Sequence, residues 1–211
     1  MPFKYINLMP SIKESLKKLW AFLNKDTWQS WLASLVLIII LIRFILFPLL
    51  ALATGSPLPL VVIESCSMYH NSDFDTWFHS NGAWYESKNI SKETFSSFKY
   101  KSGLNKGDII LVTKTKYPPK MGDTIIFQPD TYSSAPNPII HRVVTTSPPG
   151  TKGDNNENQL NPLNNLQQVD ESSIKEGQIL GKASLRIPLL GWVKLIFFEP
   201  SRPQNQRGLC K

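Results

Sequence analysis

The alternation of hydrophobic and polar positions changes character twice along the chain. Ile12, Leu16, Leu19, Trp20 and Leu23 recur at helical spacing with lysines on the opposite face, which predicts an amphipathic helix lying on anionic lipid headgroups. From residue 31 to 53 polar positions almost vanish. The stretch Trp31 to Leu52 holds sixteen Leu, Ile, Val or Phe residues and has about the length needed to cross a hydrocarbon core. Each apolar residue favours insertion by roughly 0.5 kcal/mol near the helix centre, against a cost of about 3 kcal/mol for Arg43, so a membrane span is predicted. Arg43 is read either as a charge that snorkels or is met by local water, or as a contact with a partner helix or lipid. Pro48 is expected to kink or end the helix. A run this long, starting this late, is not the short apolar core of a cleaved secretory signal.

After the breaker cluster Gly55-Ser56-Pro57-Leu58-Pro59 the text becomes short β-branched runs separated by turn residues. Strands are predicted at Leu60–Glu64, Ile109–Thr113, Thr124–Phe127, Ile139–Thr145 and Ile179–Arg186. The fold class expected is mainly β: a β-rich catalytic domain on a single N-terminal transmembrane helix. Lys106-Gly107-Asp108 and Met121-Gly122-Asp123 each read as a tight turn feeding a strand. Residues 69–103 depart from the pattern, with Phe74, Trp77, Phe78, Trp84, Tyr85, Phe95, Phe98 and Tyr100 and a short helix predicted near Ser91–Phe98. This insert is read either as a cover over a cleft or the bilayer interface, or as a small core of its own. The stretch Arg186–Phe198 is too short for a second span and is expected to be a strand or interfacial segment against the bilayer. The organisation predicted is thus a basic segment 1–30, a span 31–53, a peptidase domain 54–199 and a polar, disordered tail 200–211.

Charge fixes orientation more than partner. The net charge of +7 would permit nucleic-acid binding, but Lys4, Lys13, Lys17, Lys18 and Lys25 precede the apolar run, where they act as a topology signal, and no nucleic-acid motif is present. The N-terminus is therefore expected in the cytoplasm and everything beyond about residue 53 outside it. Two cysteines, Cys66 and Cys210, imply no disulfide framework.

The chemistry centres on two short segments. Ser67 stands about fourteen residues past the span in Glu64-Ser65-Cys66-Ser67-Met68, and His141 in Ile140-His141-Arg142-Val143. A serine hydroxyl needs a base, and an unperturbed imidazole, with a pKa of about 6.5, is largely neutral near physiological pH. His70 and His79 sit in or beside the aromatic insert and are read as structural or exposed. Asp154, after the Thr151-Lys152-Gly153 turn, is a candidate to orient the imidazole, or an ordinary turn aspartate.

In their order these segments, together with Gly107-Asp108-Ile109-Ile110, Gly122-Asp123-Thr124-Ile125-Ile126-Phe127, Gly153-Asp154-Asn155-Asn156 and Gly181-Lys182 through Arg186-Ile187-Pro188-Leu189-Leu190-Gly191-Trp192, resemble the type I signal peptidases. Within them the likeness is to the archaeal and endoplasmic-reticulum branch, which uses histidine as base. The resemblance implies a membrane-bound serine endopeptidase, without cofactor or metal, that removes signal peptides from exported preproteins after small residues. It implies Ser67 as nucleophile, His141 as general base, Asp154 as an active-site aspartate and Ser65 as an oxyanion donor. Expected partners are preprotein signal peptides, membrane lipid and a protein translocon, and not nucleic acid. The expected location is a cell membrane, or an endoplasmic reticulum membrane in a eukaryote. Cys66 stands where relatives carry glycine, and His70 where many have proline. A second aspartate, usual about six residues after Gly-Asp, is replaced by Leu160, which makes Asp170 the rival acid. Two other readings stand beside this one. A Ser/Lys self-cleaving repressor-type peptidase would need a lysine where His141 stands, and an inactive membrane-anchored module would only hold signal peptides or the translocon.

Overall fold

The computed structural model describes residues 12–211; Lys4, part of the predicted basic segment, lies outside them. Two compact units result, one ending at Leu50 and the other Ala51–Lys211.

In the first unit, α1 (Ile12–Leu23) carries Ile12, Leu16, Leu19 and Trp20 exposed. A short turn follows, in which the Ser30 hydroxyl donates to Leu23 O and Thr27 caps the next helix by accepting from Ser30 N–H. That helix runs unbroken over Trp28–Thr54, 27 residues apolar and long enough to cross a membrane. It consists of α2 (Trp28–Leu41), a π-helical segment Ile42–Leu46 and α3 (Phe47–Thr54). Pro48, where a kink or an end is expected, does not end the helix, which continues for another six residues beyond it. Proline has no N–H to donate, and the widened π turn immediately before it, with Phe47 N–H bonded to Ile42 O, re-spaces the ladder there.

The second unit is built on one antiparallel sheet of six strands, ordered β1-β2-β6-β3-β4-β5. These are β1 (Leu60–Val62), β2 (Ile109–Thr113), β3 (Thr124–Phe127), β4 (Ile139–Thr146), β5 (Pro149–Lys152) and β6 (Ile179–Ile187). Five of them match predicted runs. The sixth, β5, hides in a Pro-Gly pair that reads as a turn, and forms because β4 offers it a partner: Arg142 faces Lys152 and Val143 faces Thr151. In β2 burial alternates, with Ile110 and Val112 inside, as period-two patterning requires; β3 is buried along its whole length. The two Gly-Asp turns are alike in detail. Gly107 and Gly122 both adopt positive φ, and the carboxylates of Asp108 and Asp123 each accept the N–H three residues before them.

The residues between β1 and β2 form α4 (Phe74–Glu86) and α5 (Lys92–Ser96), capped by Asp73 and Ser91. The insert's rings make their own core: Trp77, Phe78, Tyr85, Ile90 and Phe95 are buried together with Val144 of β4. After β6 comes α6 (Trp192–Phe198), so the apolar 186–198 stretch ends in a helix rather than continuing as strand.

Two expectations are corrected here. The expected mainly β class is met only in part: the one sheet is antiparallel and follows an N-terminal apolar helix, but helix (36%) exceeds strand (16%), so the chain is not clearly mainly β. The predicted disordered tail is instead held to the domain. Cys210 is disulfide-bonded to Cys66, Lys106 donates to Gln206 O, and Arg202 donates to the backbone oxygen and carboxylate of Glu64. Polar composition suggests disorder, but a covalent link, an ion pair and backbone hydrogen bonds outweigh it.

Candidate active site

β1 delivers the chain to an irregular loop, Ile63–Tyr69, whose carbonyls are tied down in turn. Ile63 O accepts from Gly107 N–H, Glu64 O from Arg202, Cys66 O from Tyr69 N–H and from Asn155 Nδ2, Ser67 O from Asn155 N–H and Met68 O from Leu104 N–H. Ser67 is half-buried at its apex and Ser65 exposed. The Ser65 and Ser67 hydroxyl oxygens are 3.2 Å apart. Among the described residues nothing accepts from the Ser67 N–H.

β4 supplies the imidazole. His141 is buried, and its Nε2 lies 2.9 Å from Ser67 Oγ. On the other side of the ring Nδ1 meets Glu171 Oε1. An ionised carboxylate only accepts hydrogen bonds, so this contact places the ring proton on Nδ1 and leaves the Nε2 lone pair facing the serine hydroxyl. Glu171 is itself fixed: it is fully buried, accepts from Thr151 Oγ1 (3.2 Å) and Leu160 N–H (3.0 Å), and its backbone pairs with Thr151 along the outer edge of β5. The result is a continuous line, Ser67–His141–Glu171, drawn from a loop, a strand and an edge segment.

Asp154 is not in that line. Neighbouring residues on a strand point to opposite faces, and while His141 turns to Ser67, Arg142 turns to the other side and takes Asp154 in a two-pronged ion pair, Nε to Oδ1 at 2.9 Å and Nη2 to Oδ2 at 2.6 Å. His70 Nε2 (3.0 Å) and Tyr85 Oη (3.1 Å) complete the carboxylate's shell. Burial alone would raise the Asp154 carboxyl, but Arg142 and the His70 hydrogen bond outweigh it and hold it well below the usual range. His70 lies flat on Trp77 with ring centres 3.6 Å apart, so this cluster pins the aromatic insert to the loop after β5. Asp170, the other candidate acid, is exposed and accepts from Ser172. The carboxylate beside His141 is therefore neither acid proposed from the sequence but Glu171. Val169-Asp170-Glu171 lies in no strand or helix, so no local period in the sequence separates Glu171 from Asp170 as the inward-facing acid.

Two features shape the space beside the pair. Gly153 leaves it open: a Cβ there would stand 2.7 Å from His141 Nε2 and 2.9 Å from Ser67 O. Lys152, buried against Trp84 and Tyr85, donates to Gly153 O and Asn156 O, and burial pushes its ammonium down to about 8, opposed by the charges of Asp154 and Glu171. Among the described residues no cluster of His, Cys, Asp or Glu could hold a metal ion.

No family model matches this chain, and no curated protein matches it either.

Proposed function

We propose that the protein is a membrane-anchored serine endopeptidase that removes signal peptides from exported preproteins, of the kind its resemblance to the histidine-using type I signal peptidases implies. The observation that carries the reading is the hydrogen-bonded line from Ser67 Oγ through His141 to Glu171. In this mechanism His141 Nε2 takes the Ser67 proton as Oγ attacks the scissile carbonyl. The oxyanion that forms is met by the Ser67 N–H and the Ser65 hydroxyl, a type of contact worth about 3 kcal/mol per donor. His141 then gives the proton to the leaving amine, and a water activated by the same imidazole hydrolyses the acyl ester. Glu171 holds the ring and balances its transient positive charge.

Placement supports the substrate. A signal peptide is an apolar segment in a bilayer whose cleavage site emerges at the membrane surface, and Ser67 follows the helix Trp28–Thr54 by thirteen residues. The lysines before the helix favour a cytoplasmic N-terminus and an exoplasmic domain. A disulfide at Cys66–Cys210 suits an oxidising compartment. On α6 and the turn before it Leu189, Leu190, Val193, Ile196, Phe197 and Phe198 are exposed together, an apolar face suited to lipid. The edge strand β1, which leads directly into the Ser67 loop, can accept an extended peptide by strand addition, and Gly153 leaves room beside the nucleophile.

The test is cleavage of a preprotein by the purified chain in lipid and detergent, with the products weighed. A cut at the signal-peptide junction that disappears in Ser67→Ala is expected; undiminished cutting by Ser67→Ala would overturn the assignment.

A further inference from the structure

The loop that bears Ser67 has no strand or helix of its own to hold it, and its two sides are held differently. On one side Asn155 takes the Cys66 and Ser67 carbonyls, at 3.1 and 2.8 Å. On the other side stands a strap, residues 199–210, that follows directly on α6. It reaches the loop at two points only two residues apart, Glu64 and Cys66. Arg202 grips Glu64, Nη1 to the backbone oxygen at 3.0 Å and Nη2 to Oε2 at 2.6 Å, with Lys194 on the other carboxylate oxygen at 2.9 Å. Cys210 is bonded to Cys66, the residue directly before the nucleophile and 144 positions away in sequence.

The strap is not hanging from the loop; it is anchored independently. Lys106, fully buried, pairs with Glu199 (2.8 Å) and donates to Gln206 O (2.7 Å), and Arg207 closes the strap on itself through Arg202 O and Pro200 O. Lys106 is in turn fixed by Trp192 Nε1 donating to its carbonyl, and the Trp192 ring lies where a Cβ on Gly107 would be. A rigid base, a short crossing and two attachments flanking Ser65 describe a brace for the loop rather than a loose end.

We propose that Cys210 and Arg202 are positioning residues for the reaction. Through Cys66 and Glu64 they fix the Ser65–Ser67 backbone so that Ser67 Oγ stays within reach of His141 and the Ser67 N–H stays aimed at the oxyanion. This rests on Ser67 being the nucleophile. Displacement of a reacting atom by about 1 Å can lower a rate on the order of a hundredfold, so release of the strap acts on the chemical step and not on substrate binding.

The test has three parts, the first two of which do not depend on catalysis. The unreduced, denatured protein should show no free thiol; two thiols would overturn the proposal. Amide hydrogen exchange across residues 64–68 should quicken in Cys210→Ser and in Arg202→Ala while β3 and β4 keep their protection; unchanged exchange in that loop would overturn it. Should Cys210→Ser unfold the sheet, Arg202→Ala alone decides. Finally, labelling of Ser67 by a fluorophosphonate should slow about tenfold or more in both variants and recover in part in Arg202→Lys, and preprotein cleavage should lose kcat with KM unchanged. Dithiothreitol, which exchanges with the bridge to leave two thiols on the chain and its own cyclic disulfide, should slow the wild type likewise, reversibly on re-oxidation. An unlabelled wild-type Ser67 would count against the nucleophile assignment itself, and with it this role for the strap, even where the exchange results hold.

Discussion

At the scale of single residues the site separates two carboxylates by task. Asp154 is committed to Arg142, His70 and Tyr85, while Glu171 faces His141. Glu171→Gln should therefore lower turnover by roughly 10²- to 10⁴-fold, because an amide carries no charge to balance the imidazolium and its NH2 must face either Nδ1 or the Leu160 N–H, both of which now meet an acceptor oxygen. Asp170→Asn should cut at the wild-type rate in the same assay, and equal losses in the two variants would remove Glu171 from its role. Lys152 supplies a second residue-level expectation. Its folded-state pKa of about 8 lies below the ordinary 10.5, so between those values the unfolded chain binds more protons and stability rises with pH. Against a Lys152→Met reference, urea denaturation should show the wild type gaining about 2 kcal/mol from pH 7.5 to 9.5; a flat difference would mean the ammonium is well solvated. The sequence singled out Ser67, His141 and Ser65, which the fold brings side by side, because each sits in a recognisable local setting. It missed Glu171 because the contact depends on how the 169–174 segment registers against β5, thirty residues from the histidine, and no local period encodes that.

Among the elements, those with strong short-range signals were legible. Gly-Asp turns followed by β-branched runs announced β2 and β3, and period-two burial fits β2 as expected. β5 was hidden because its Pro149-Gly150 start carries turn chemistry, and it becomes a strand only when β4 pairs with it. α4 was hidden because its aromatics are poor helix formers with Gly82 among them; only Asp73, accepting from the Asp75 and Thr76 N–H groups, marks its start. Its value lies in tertiary packing, with Trp77 buried at the centre of the insert's ring cluster and stacked on His70. Trp77→Ala should cost about 3–5 kcal/mol in chemical denaturation. Because His70 is Asp154's partner, the same substitution should loosen the loop after β5. A cost below about 1 kcal/mol would show the insert to be a bystander to the fold.

For the whole molecule, a basic amphipathic helix, a long apolar helix and a sheet domain follow one another along the chain, and each part was readable from composition. The tail was not: its polar residues look unanchored until Cys66 and Glu64, far upstream, are brought beside them. The lysine asymmetry predicts that protease added outside right-side-out vesicles digests the domain and spares Lys13 to Lys25, and the reverse pattern would invert the topology. The account as a whole turns on Ser67 and His141 acting as one device. Preprotein cleavage by Ser67→Ala, His141→Ala and the double variant, reconstituted in lipid, measures that directly. Each single change should remove nearly all activity, on the order of 10⁴-fold or more, and the double variant should be no worse than either. Losses that multiply, or cleavage that survives either single change, would contradict it.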